Sequence, residues 1–165
     1  MAPTGAPSGV LVAAFAAAFA AVFVEAFAAA PPAALGAARI ACSASPSQAA
    51  SAVAGCPPEI MGIGPVAATQ KALKRAGLAI GDIDVIELNE AFAVQALACM
   101  DDLKIDWAKT NIDGGATAIS HPLGATGARI TGKAAQILKR EGKKFALSSQ
   151  CIGGGQGITT ILEAV

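Results

Sequence analysis

Charge is the scarcest commodity in the first third of this 165-residue chain. Residues 1–58 hold only Glu25 and Arg39, although the whole sequence has 12 Lys plus Arg and 12 Asp plus Glu. The resulting net charge of zero removes the electrostatic case for nucleic acid or an anionic membrane surface as the main partner. There is a single histidine, His121, and none of the four cysteines (Cys42, Cys56, Cys99, Cys151) forms a C-x-x-C pair. No metal site is therefore expected, since zinc needs ligands clustered at short spacing. The cysteines are also too sparse for a secreted disulfide scaffold. Reduced thiols inside the cell are expected, with the cytoplasm first and mitochondrion or peroxisome as open alternatives. No Lys or Arg precedes the apolar run that begins at Val10, so a secretory signal lacks its basic flank, and the segment is not Arg-rich like a transit peptide. An apolar share of 54% against 15% charged excludes charge-driven disorder as a description of the whole chain.

What is present divides at residue 58. Residues 1–60 hold 23 alanines, and Val10 to Val24 carry no polar side chain. Phe15, Phe19, Phe23 and Phe27 recur every four residues, which in a helix makes one slowly drifting stripe. Such a helix packs into a core, docks on a partner, or meets a membrane. Residues 10–30 are long enough to span a bilayer, but alanine is weakly apolar and Glu25 is costly in lipid, so membrane contact is the disfavoured option. Pro31-Pro32 ends the helix. Residues 42–58, rich in Ser, Gly and Pro, read as irregular chain.

From Glu59 onward, helical and strand patterns alternate. Residues 65–76 read as a helix with Pro65 in its first turn and Gly77 at its C-cap. Asp84–Leu88 reads as a strand. Asn89 is expected to N-cap a helix with Phe92, Ala96 or Leu97, and Met100 on one face. Residues 111–127 read as a Gly-rich loop with a short strand at its start, and Ala128–Arg140 as a helix. Phe145–Gln150 and Ile158–Leu162 read as strands joined across Gly153-Gly154-Gly155-Gln156-Gly157. This alternation points to an α/β layered domain over residues 59–165, preceded by the Ala-rich segment 1–58, itself expected to be helical.

Three clusters sit where a strand ends and the chain turns, the usual place for active-site groups in such folds. They are Asn89-Glu90-Ala91-Phe92, the stretch from Asn111 through Ser120-His121-Pro122-Leu123-Gly124, and Cys151-Ile152-Gly153-Gly154-Gly155. A histidine in a Gly-rich loop can polarise a carbonyl or activate a thiol. A cysteine followed by glycines offers a thiol and bare N–H donors for an oxyanion. Each residue also has a plain structural role open to it: loop histidine, core thiol, helix cap. Gly127 to Lys133 spells Gly-x-x-x-x-Gly-Lys, but Ala134 replaces the Ser or Thr of a phosphate loop and the segment reads as helix. Nor is Gly153–Gly157 the Gly-x-Gly-x-x-Gly of a dinucleotide site.

Taken together the motifs resemble the thiolase family. Met61-Gly62-Ile63-Gly64-Pro65, Asn89-Glu90-Ala91-Phe92, the Asn-x-x-Gly-Gly … His-Pro-x-Gly-x-x-Gly-x-Arg pattern of residues 111–129 and the Cys-x-Gly-Gly-Gly-x-Gly of residues 151–157 agree with it in order and spacing over about 105 residues. The resemblance implies the C-terminal half-domain of that fold, a mixed sheet with helices on both faces. It implies reversible thiolysis of a 3-oxoacyl-CoA to acetyl-CoA and a shortened acyl-CoA, as in fatty-acid β-oxidation, with coenzyme A thioesters as substrates and no bound cofactor. It implies that His121 activates the nucleophilic thiol and holds the thioester oxygen, and that Asn89 completes that hole through a water. Cys151 would shuttle the proton to the substrate α-carbon or from the CoA thiol. The N–H of Gly153 would serve a second oxyanion hole, and Met61, Ala91 and Phe92 would line the acyl and pantetheine end of the pocket. Partners would be CoA and acyl-CoA, an N-terminal thiolase half, or further copies of the chain.

The resemblance also brings departures. The family's acyl-accepting cysteine belongs to its N-terminal half, and no segment here carries its pattern. Cys42 is not expected to replace it, because Arg39 precedes it where the family has Asn, and Ser43-Ala44 follow. The region that holds most of the coenzyme is likewise unmatched, so CoA affinity is expected to be weak. Ser120 stands where Gly is usual, a strained choice if that position needs positive φ, and Trp107 stands where Pro is usual. Residues 1–58 are poorly matched. A half-domain alone would expose its partner face and associate. The alternative to catalysis is a non-catalytic or truncated thiolase-like chain acting as an interaction module.

Overall fold

The computed structural model describes residues 38–39 and 50–164. The phenylalanine stripe, the segment 10–30 for which membrane contact is the disfavoured option, and Cys42 lie outside the described residues. Five strands form one mixed sheet: β1 (Ala38–Arg39), β2 (Ser51–Gly55), β3 (Val85–Leu88), β4 (Phe145–Ile152) and β5 (Gln156–Ala164). β3 runs parallel to β4, with Leu88 opposite Ser149. β4 and β5 form an antiparallel hairpin with Cys151 opposite Gly157. β1 and β2 both pair antiparallel with β5, at its two ends.

Alternation along the strands builds two cores. Ile86, Leu88, Leu147 and Ile161 face one side, where α1 (Gly64–Ala76) and α2 (Ala93–Leu103) bury Ala72, Leu73, Ala96, Cys99, Met100 and Leu103. Val85, Ala146 and Leu162 face the other, against Ala134, Ile137 and Leu138 of α3 (Thr126–Glu141). Helices on both faces of a mixed sheet are thus the observed arrangement. The polar residues of these strands are paired across the layers. Thr69 of α1 meets Thr159 at 2.9 Å, Ser149 meets Thr159 at 2.8 Å, and Thr131 of α3 meets Ser148 at 3.1 Å.

Helix ends follow the expected chemistry. Gly77 and Gly142 adopt the left-handed conformation that closes α1 and α3. Three expectations need correction. Residues 51–55 are not irregular chain but the strand β2. Its Ser-Ala-Val-Ala-Gly sequence has little strand propensity of its own and is ordered by pairing with β5. Lys71 and Arg75 of α1 donate to the carbonyls of Val53 and Ser51 and so cover the strand. Asn89 does not cap α2. The helix begins at Ala93 after an extended Phe92, while the Asn89 N–H continues the ladder to Ser149 O at 2.9 Å. The buried stripe of α2 is Ala96, Cys99, Met100 and Leu103. Phe92 and Leu97 are exposed, because the later start rotates them away from the sheet. Residues 111–127 form a loop as expected, interrupted by one helical turn at Ala116–Ile119 and joined to β3 by a bridge from Thr110 to Ile86. Among the described residues no helix is long and apolar enough to cross a membrane.

One polar residue of β3 has no neutral partner. Glu87 points into the α3 layer at 2% exposure, with Lys133 Nζ 3.5 Å from its Oε1. Burial pushes its carboxyl up to about 7, against the opposing pull of Lys133. The native state therefore keeps a proton that the unfolded chain releases near pH 4.5. The resulting stability is full below that pH and is lost as pH rises through 7. Asp84, Glu90 and Asp113 are held low, so their contributions are already complete above pH 5.5. Urea unfolding of the chain should accordingly show stability falling by about 2 kcal/mol between pH 5.5 and 8. Glu87→Gln should flatten that slope.

Candidate active site

The carboxyl ends of the parallel pair β3–β4 gather the first two motif clusters and bring Cys151 alongside. Asn89 follows β3 directly and is 1% exposed. Its Nδ2 lies 3.4 Å from His121 Nε2. On the far side of the ring, His121 Nδ1 is 2.7 Å from Thr126 Oγ1, and that hydroxyl donates its only proton to Pro122 O at 2.9 Å. Thr126 can then only accept from the imidazole. The network assigns the Nδ1–H form to the neutral ring and leaves the Nε2 lone pair facing the Asn89 amide. The histidine is thus held as a base, with its basic nitrogen at the site. Asn89 Oδ1 is buried and has no hydrogen-bond partner among the described residues.

The segment that carries Asn89 is gripped from both sides. Asn111 copies a strand partner: its Oδ1 accepts from Leu88 N at 3.0 Å and its Nδ2 donates to Leu88 O at 2.9 Å. The same Nδ2 donates to Glu90 Oε1 at 2.7 Å, and Thr117 N donates to Glu90 Oε2 at 2.8 Å. Partial burial pushes the Glu90 carboxyl up, but these bonds and the charge of Lys133 hold it below its usual range. Gly115 explains the paired glycines: a Cβ there would occupy the space of the Glu90 carboxylate.

Cys151 is a free, half-buried thiol near the end of β4. Among the described residues no hydrogen bond joins it to His121. Burial pushes its thiol up, which keeps it a proton donor at neutral pH. Cys99 is wholly buried, donates to Gly62 O at 3.4 Å and is a core thiol. Gly153 lies exposed in the β4–β5 turn. Met61 sits half-buried in the 3-10 turn Pro58–Ile63, which reaches the hairpin through direct backbone contact. Gly64 touches Gln156 and Gly157 so closely that a Cβ on either glycine would overlap the other's main chain. Ala91 is half-buried and Phe92 is 65% exposed at the rim. Sequence inspection gave no role to Thr126, Glu90, Asn111 or Lys133. Glu90 and Asn111 stood inside quoted motifs, but their partners lie more than twenty residues away. Among the described residues no group of His, Cys, Asp and Glu could hold a metal ion.

Ser120, just before His121, has φ 79° and ψ 165°, a region that glycine alone occupies without strain. Arg129 Nη1 donates to its carbonyl and helps hold it there. Ser120→Gly should raise the unfolding free energy by roughly 1 kcal/mol, the strain relieved less the added freedom of the unfolded chain. Thermal melts of the two proteins would read this as a higher Tm for the variant.

The sequence and the fold are similar to those of known proteins. A family model described as "Thiolase, C-terminal domain" matches residues 43–164. A 3-ketoacyl-CoA thiolase of Vibrio parahaemolyticus is 56% identical over 115 residues, covering 68% of this chain and 29% of the relative. The human mitochondrial 3-ketoacyl-CoA thiolase is 54% identical over 112 residues. The crystal structure of that human protein in complex with CoA superposes with a TM-score of 0.69 at 53% identity, over 70% of this chain and 29% of that one. The Bacillus anthracis acetyl-CoA acetyltransferase gives the same TM-score at 42% identity. The chain spans less than a third of the length of these relatives. With the matched segment taking in all three motif clusters, the chain belongs to the thiolase family through that family's C-terminal domain.

Proposed function

We propose that this chain supplies the His121, Asn89 and Cys151 side of a thiolase site, acting in reversible thiolysis of a 3-oxoacyl-CoA. The observation that carries this reading is the Thr126–His121–Asn89 relay, which presents an unprotonated Nε2 beside a buried amide. A nucleophilic cysteine on another segment gives its proton to His121 Nε2, and the thiolate adds to the 3-oxo carbon. As the bond between the α- and β-carbons breaks, the acetyl-CoA enolate takes a proton from the Cys151 thiol. The Cys151 thiolate then takes the proton of coenzyme A, whose thiolate attacks the acyl-enzyme; the nucleophilic cysteine leaves as a thiolate, regains its proton from the His121 imidazolium, and the shortened acyl-CoA is released. The imidazolium Nε2–H, with a water oriented by Asn89, stabilises the enolate oxygen, and the Gly153 N–H stabilises the tetrahedral oxyanion. Met61, Ala91 and Phe92 line the acyl end of the pocket. The exposure of Phe92, Ile119 and Leu123 at the site rim supports completion of the pocket by an N-terminal thiolase half.

The test is acetoacetyl-CoA thiolysis by the purified chain, alone and mixed with a separately expressed N-terminal thiolase half. Activity is expected only in the mixture. His121→Ala and Cys151→Ala should each cut it by about a hundredfold or more. Silence in the mixture would reject a competent half-site and favour a non-catalytic interaction module. Activity of the chain alone would reject the assignment of the nucleophile to another segment.

A further inference from the structure

Lys133 is an unusual place to find an ammonium group. It leaves α3 on the side that faces the sheet, its side chain is only 16% exposed, and its stem lies in the layer between α3 and β3. Its Nζ donates to the carbonyl of Gly114 and lies 3.5 Å from the buried Glu87 carboxyl group. Its charge also acts on Glu90 and Asp113. A surface lysine would have no reason to give up water here. The carbonyl it holds belongs to the last residue of a turn, whose own N–H donates to Asn111 O at 2.7 Å and closes it. That turn places Asn111 and Thr117, the two groups that grip Leu88 and Glu90 on either side of Asn89.

We propose that Lys133 is a positioning residue for the Asn89–His121 pair. Latched between Glu87 and Gly114, it fixes the Asn111–Thr117 turn and so sets where the Asn89 amide meets the imidazole. The inference rests on the role given above to Asn89 and His121. It differs from that role in acting through the backbone of a loop, with no contact to substrate.

His121 is the only histidine in the chain, so its ring nitrogen signals can be assigned without ambiguity. The experiment compares the full chain with Lys133→Met, Lys133→Arg and Asn89→Ala by nitrogen-15 NMR of the neutral imidazole, together with amide hydrogen exchange at Thr117. Both are read well below the unfolding midpoint, so that global stability is not what they report. The parent should show widely separated Nδ1 and Nε2 shifts, the mark of the Nδ1–H form. In Lys133→Met the two shifts should move toward each other, and the Thr117 amide should exchange about tenfold faster as its bond to Glu90 loosens. Lys133→Arg, which keeps charge and donors, should return both toward the parent values. If Lys133→Met does not fold, Lys133→Gln takes its place with the same readouts. Unchanged shifts and unchanged exchange in the Met or Gln variant would overturn the proposal. Asn89→Ala separates the two levels. If it moves the His121 signals while the Lys133 variant does not, only the positioning role falls. If it leaves them unmoved, the Asn89–His121 pairing itself falls, and the positioning role with it.

Discussion

The side chain of Asn111 is the contact on which the rest of the site depends. β3 is four residues long, and the chain must leave the sheet just where Asn89 is needed. The Asn111 amide supplies both a donor and an acceptor to Leu88 and so acts as one more rung of the ladder. With Leu88 fixed on that side and Ser149 bonded on the other, Asn89 is held as firmly as a strand residue although it lies outside the strand. Asn111 itself sits at φ 47°, a conformation that asparagine tolerates better than most residues. The local backbone cost is set against three side-chain hydrogen bonds.

This contact orders the chemistry in layers. Thr126 fixes the imidazole from α3, Asn89 meets it from just beyond β3, and Cys151 lies near the end of β4. Each comes from a different element, and the elements are locked by packing on both sheet faces. The proton transfers proposed above need their groups placed to within about 0.5 Å. Asn89 has that precision from the parallel pair beside it, and the loop residue His121 gains it from its bond to Thr126. The elevated thiol of Cys151 and the tautomer imposed on His121 have complementary consequences: one group keeps a proton to give, the other keeps a lone pair to receive one.

Much of the fold was legible in the sequence. Pro65 and Gly77 marked α1, the apolar spacing of Ile130, Ala134, Ile137 and Leu138 marked α3, and Gly153–Gly157 marked the hairpin. The motifs placed Asn89 just beyond β3 and Cys151 near the end of β4, as observed, whereas His121, expected at a strand end, lies in the loop between the helical turn Ala116–Ile119 and α3. Less legible was whatever depended on partners distant in sequence. β2 has no strand signal because its order comes from β5 and from Lys71 and Arg75. Asn89 looked like a helix cap because capping and hydrogen bonding to a histidine call for the same side chain. Lys133 stands in a Gly-x-x-x-x-Gly-Lys pattern, while its contacts with Glu87 and Gly114 depend on the packing of α3 against β3.

The seam between α1 and the β4–β5 hairpin has a consequence of a different kind. Gly64, Gly155 and Gly157 meet neighbouring main chain so closely that there is no volume for even a methyl group. These positions carry no charge, no apolar surface and no chemistry, yet they leave the smallest choice of residue in the domain. Drift in this sequence is therefore free where side chains face solvent and nearly frozen at three places that no hydropathy profile would single out. The fold would accept substitution at His121 or Cys151 long before it accepted one at Gly64 or Gly157, which let the hairpin and the helix touch, or at Gly155, where the hairpin meets Cys56 and Pro58.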